Sequence, residues 1–109
     1  MITESNDHLD LKKSMKEFYI ALGCSVKEEH KIGVKIVDLA IYKNNKLIKI
    51  IECLHSQTIT MALKKLVEIK NNCQKEIIRF YKPKNPKARK IIKIVENKGI
   101  LFSELPQFD

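Results

Sequence analysis

Two short apolar runs, Val37-Asp38-Leu39-Ala40-Ile41 and Ile50-Ile51-Glu52-Cys53-Leu54, each enclose one acid, and an Asn44-Asn45 pair lies between them. Runs of this kind on either side of an Asn-containing turn read as a β-hairpin. A carboxylate set among Ile, Val and Leu loses its hydration. It then needs a hydrogen bond, an opposite charge, a proton or a cation if the strand is to stay buried. The fold must therefore pair these two strands and satisfy both acids.

Register decides whether the acids meet, because residues directly opposite each other in an antiparallel pair point to one face. A two-residue Asn44-Asn45 loop alone opposes Asp38 to Ile51 and sends the acids to opposite faces. A three-residue loop that includes Lys46, or a bulge of one residue, opposes Asp38 to Glu52 with β-carbons roughly 5 Å apart. That second register is the expected one. Carboxylates so placed repel unless a positive charge intervenes. Mg²⁺ or Mn²⁺, which favour oxygen ligands, can serve; so can local lysines such as Lys35 or Lys49.

The rest of the chain supplies an α/β frame. Leu11, Met15, Phe18, Tyr19 and Leu22 recur at helical spacing over residues 8–22, with Asp7 as cap and Gly23 as stop. A first strand over residues 24–32 precedes the hairpin strands, 34–42 and 47–54. Thr58 caps a second helix with the face Ile59, Ala62, Leu63, Leu66 and Ile69, which stops near Asn71-Asn72. A strand over 76–81, a helix with Pro86 at its first position and Gly99 past its end, and a short strand over 100–102 complete the order αβββαβαβ. Strand-helix-strand connections call for right-handed parallel crossovers after the antiparallel meander. The expectation is a mixed four- or five-stranded sheet with flanking helices in a single domain spanning residues 1–109, of which the polar residues 1–7 fray.

Composition bounds the partners. No apolar stretch reaches the roughly 18 residues of a membrane span, and the N-terminal residues show no secretory pattern, so a soluble, intracellular (cytoplasmic) protein is expected. Cys24, Cys53 and Cys73 lack metal-ligand or disulfide spacing and read as reduced packing residues. The net charge of +8 is uneven: nine lysines face eight acids in residues 1–60, while twelve basic residues face five acids in 61–109. The densest basic run, Arg79-Phe80-Tyr81-Lys82-Pro83-Lys84-Asn85-Pro86-Lys87-Ala88-Arg89-Lys90, crosses a strand end, a loop and a helix start. Such a run suits a phosphate backbone, although a lysine-rich face also keeps a protein solvated and guards a sheet edge. Nucleic acid is the favoured partner on charge.

The element order together with Val37-Asp38 and Ile51-Glu52-Cys53 resembles the restriction-endonuclease-like superfamily of PD-(D/E)XK nucleases, in particular archaeal Holliday-junction-resolvase-like members, over most of the chain. A looser likeness, to CoiA-like members, rests on His8 and Lys12 in the first helix and on Glu52-Cys53-Leu54-His55-Ser56. The resemblance implies Asp38 and Glu52 as catalytic acids that hold Mg²⁺ or Mn²⁺, DNA (duplex or branched) as partner, and a homodimer. Leu54 stands where the motif has its lysine. Members that relocate this amine take it from the following helix, which makes Lys64 and Lys65 the candidates here, ahead of His55. His8, Lys12, Arg79, Lys82, Lys84, Lys87, Arg89 and Lys90 are the candidate nucleic-acid contacts. Two functions follow: a metal-dependent endonuclease, or a catalytically degenerate nuclease-like module that binds DNA or a protein partner without cleavage.

Overall fold

The computed structural model describes residues 6–54, 59–80 and 86–105, with side chains from residue 9 in the first helix and from residue 89 in the last. Along the chain come α1 (Asn6–Ala21), β1 (Ser25–Ile32), β2 (Lys35–Lys43), β3 (Lys46–Cys53), α2 (Ile59–Glu68), β4 (Gln74–Phe80), α3 (Pro86–Asn97) and β5 (Leu101–Leu105). The order is the one read from the sequence. Boundaries move by a few residues: α1 begins before Asp7, which lies in the first turn and not at the cap, and α2 ends at Glu68, short of Asn71.

One five-stranded sheet runs β1-β2-β3-β4-β5 in space as in sequence. The first three strands are antiparallel, joined by two-residue turns, and β4 and β5 add in parallel through α2 and α3. Each turn uses residues in the left-handed region, Gly33 (φ 61°) in the first and both Asn44 (φ 53°) and Asn45 (φ 63°) in the second. Asn tolerates that conformation better than most residues with a Cβ. Gly23 and Gly99 end α1 and α3 as expected. Cys24 N–H donates to Tyr19 O at 3.0 Å and Ile100 N–H to Val95 O at 3.3 Å, which satisfies carbonyls that a helix end leaves bare.

The two sheet faces carry separate cores. On one side Val37, Ala40, Ile50, Leu54 and Ile77 pack with Ile59, Ala62, Leu66 and Ile69 of the α2 segment and with Val95 of α3. On the other, Leu39, Ile41, Ile51, Cys53 and Ile78 pack with Leu11 of α1, joined by Met15 and Tyr19. One helix on that side leaves part of its own stripe unused: Phe18 and Leu22, expected in the core, are each 54% exposed. The helical period identified an apolar stripe but not how much sheet there was to receive it.

Removing the Leu66 side chain, fully buried between α2 and the sheet, should destabilise the protein by about 2–5 kcal/mol as Leu66→Ala. Phe18→Ala should cost well under half as much. Urea denaturation of the two variants checks the contrast.

Candidate functional site

The hairpin reaches the acid-meeting register by a route that combines two of the alternatives above. The Asn44-Asn45 loop is two residues long, with Lys43 paired to Lys46 and Tyr42 to Leu47, and the register then shifts so that Ile41 pairs with Lys49 and Leu39 with Ile51. Ile48 is the extra residue of a β-bulge. Continued one step, this register sets Asp38 opposite Glu52.

At that step carboxylates replace the backbone ladder. Asp38 N–H donates to Glu52 Oε2 at 2.8 Å, and Cys53 N–H donates to Asp38 Oδ2 at 2.8 Å. Each acid thus accepts a strand amide from the other's strand. Both are buried, Glu52 completely. The remaining Glu52 oxygen, Oε1, faces Lys65 of α2, whose Nζ stands 2.6 Å away and also donates to the Ile36 carbonyl at 3.0 Å. The two Glu52 oxygens thus face a strand amide and an ammonium. Burial pushes the Glu52 carboxyl above its ordinary range and the neighbouring Asp38 charge adds to this, while Lys65 and the Asp38 amide oppose it.

The candidate residues separate cleanly. Asp38, Glu52 and Lys65 come together; Lys64 points outward, exposed on α2. Lys35 and Lys49, the local lysines considered as counter-charges, are engaged elsewhere, with Glu68 at 2.6 Å and Glu76 at 3.0 Å. Lys12 is buried in α1 and pairs with Glu29 at 2.9 Å. Arg79 lies over the Phe102 ring, 5.1 Å from its centroid, and 3.4 Å from Glu104, so its charge is already engaged within the sheet. Arg89 and Lys90 are exposed on α3, and Lys87 lies on the same helix. His8 lies on α1, its side chain outside those described, and Lys82, Lys84 and His55 fall outside the described residues.

Position in the sheet ties the basic run to the acids. Because β3 and β4 are parallel, with Cys53 beside Ile78, the chain leaves both strands at the same end of the sheet. The acids and the start of the run at Arg79-Phe80 therefore share that end, which is where open α/β sheets usually hold ligands. A buried polar group that sequence reading missed lies across β3, β4 and β5. Lys49 pairs with Glu76, Ser103 Oγ–H donates to Glu76 Oε2 at 2.6 Å, and the Lys49 ammonium lies over the Tyr19 ring. The lysine inside Leu47-Ile48-Lys49-Ile50-Ile51 was its only signal.

Among the described residues no three His, Cys, Asp or Glu side chains gather as a metal-ligating group. What the site offers a cation is two adjacent carboxylates, those of Asp38 and Glu52, with an ammonium beside them. That donor set fits a hard divalent ion that keeps several waters, such as Mg²⁺ or Mn²⁺.

The fold is similar to the crystal structure of a repair endonuclease from Pyrococcus abyssi, with a TM-score of 0.57 and 16% sequence identity. The match covers 97% of this chain and 49% of that one, so this chain spans about half the length of the endonuclease. The architecture is accordingly nuclease-like. No protein-family model and no curated protein matches the sequence. No helix among the described residues is long and apolar enough to cross a membrane.

The raised Glu52 carboxyl fixes the sign of a pH effect. A native value above the unfolded one means that the folded state holds the proton longer, so ionisation of Glu52 lowers stability. This loss is absent below pH 4.5, the ordinary value, and grows as pH rises through the elevated one. Relative to a Glu52→Gln variant, the native protein should lose stability between acidic and neutral pH in urea titrations.

Proposed function

We propose that this protein is a small metal-dependent nuclease that hydrolyses phosphodiester bonds in DNA. The observation that carries the reading is the meeting of Asp38, Glu52 and Lys65 at one end of a nuclease-like sheet. In the restriction-endonuclease-like pattern two acids hold the ion and an amine stands beside them. Here Asp38 and Glu52 would hold Mg²⁺ or Mn²⁺, and Lys65 would replace the lysine that Leu54 displaces. The ion, when bound, neutralises charge developing on the phosphate and lowers the pKa of an attacking water.

The chain's own groups do the remaining work. The Lys65 ammonium, anchored by Ile36 O and Glu52 Oε1, is placed to orient water and to counter negative charge beside the acids. Burial of the acids keeps that electrostatic field from being screened. Lys87, Arg89 and Lys90 on α3, with Lys82 and Lys84 before it, would hold phosphates by charge and position the strand without reading its sequence. The DNA form, duplex or branched, and a homodimeric assembly belong to this proposal.

One observation favours the second reading, a nuclease-like module that binds DNA or a protein partner without cutting. Asp38 Oδ2 and Glu52 Oε2 each already accept a backbone amide, so the acid pair also works as a structural clasp.

Incubation with labelled single-stranded, duplex and branched DNA in Mn²⁺ or Mg²⁺ decides between them. On the nuclease reading Asp38→Ala loses at least about 10²-fold in cleavage rate while retaining salt-sensitive DNA binding. Lys65→Met should lose activity, and Lys64→Met should leave it near that of the native protein. Binding with no metal-dependent cleavage of any of the three DNAs would establish the module instead.

A further inference from the structure

We propose that Lys12 and Glu29 are a positioning pair for the acid site: the buried α1 ammonium holds Glu29 in a left-handed kink of β1, and this kink keeps the Asp38 carboxylate in the opening of the β2/β3 ladder. The inference rests on Asp38 and Glu52 being the acids of the site, and it adds a control element on the sheet face opposite Lys65.

The kink is visible in three independent ways. Glu29 has φ 45°, a conformation unfavourable for a residue with a Cβ and without the local hydrogen-bonding reach of Asn or Asp. The β1/β2 ladder pairs Glu28 with Leu39 and His30 with Val37, and gives no pair for Glu29 with Asp38 between them. Alternation also reverses at this step in both strands. Val26 packs in the α1-side core and Ile32 in the α2/α3-side core, although residues six apart in a regular strand share a face. Likewise Leu39 and Ile41 belong to the α1 side while Val37 belongs to the other. Asp38 sits at the switch, which is why its carboxylate can reach a strand amide on β3.

Something must hold Glu29 in an unfavourable conformation, and the described contact that does so is Lys12. Its side chain is only 7% exposed, and its Nζ lies 2.9 Å from Glu29 Oε1. The ion pair joins Glu29 to a buried ammonium, which ties the kinked residue to α1.

Amide hydrogen exchange followed by NMR tests the pair without metal or DNA. Lys12→Met should speed exchange at the Asp38 and Cys53 amides at least about tenfold, while Ile77 and Ile78 in β4 keep their native protection. Adding Glu29→Gly to Lys12→Met should restore protection, because glycine adopts the kink without being held; Lys12→Arg should retain it. Should Lys12→Met fail to fold, Glu29→Gln, a change at a half-exposed side chain, should show the same selective loss. Native exchange at Asp38 and Cys53 in folded Lys12→Met, or in Glu29→Gln where Lys12→Met does not fold, would overturn the proposal, as would a loss spread equally over Ile77 and Ile78. Absence of DNA cleavage in the native protein would strike the nuclease reading and leave this measurement intact.

Discussion

Two carboxylates stand in for strand carbonyls. The reciprocal bonds from Asp38 N–H to Glu52 and from Cys53 N–H to Asp38 occupy the place where the β2/β3 ladder would otherwise continue. Charged acceptors make stronger hydrogen bonds than neutral carbonyls, so the sheet keeps its cohesion while two negative charges enter its interior. Those charges raise the free energy of the folded state, and Lys65 offsets them from α2. The arrangement explains why a helix must dock beside this hairpin and why one lysine of that helix is drawn inward.

Several features outside the site are adjustments to the same requirement. The Ile48 bulge puts the acids in register, the kink at Glu29 and Asp38 turns the strand so that the carboxylate reaches across, and parallel addition of β4 brings Arg79-Phe80, the start of the basic run, to the same end of the sheet. A regular hairpin with the same Asn44-Asn45 turn and no bulge would leave one acid in each core, each without the other's amide. The candidate chemistry therefore depends on two local irregularities more than on the regular parts of the fold.

Much of this was legible in the sequence. Turn residues, helix stops and apolar periods gave the element order, and acids inside apolar runs marked the candidate site, where Asp38 and Glu52 meet. The choice between Lys64 and Lys65 was also within reach: the buried stripe Ile59, Ala62 and Leu66 has Lys65 on its flank and Lys64 almost opposite. Other features left no trace. Ile48 is one apolar residue among several, and nothing marks it as the extra one. Glu29 is not a residue whose type signals a left-handed conformation. Lys12 reads as a surface lysine until the β1 kink brings Glu29 to it, and Arg79 reads as a phosphate contact until β5 supplies Phe102 and Glu104. Such facts depend on the register of distant segments, which local pattern does not encode.

The antiparallel half of the sheet has a consequence for the order in which the molecule assembles. Strands β1, β2 and β3 are joined by two-residue turns, and contacts so close in sequence form early, whereas β4 and β5 wait for longer crossovers to close. The meander by itself already sets Asp38 and Glu52 side by side, and α2, which follows β3 directly, carries the ammonium that offsets their charge. Strand pairing and charge compensation are thus both local in the chain, and the parallel strands are added to a half-sheet whose buried acids are already answered.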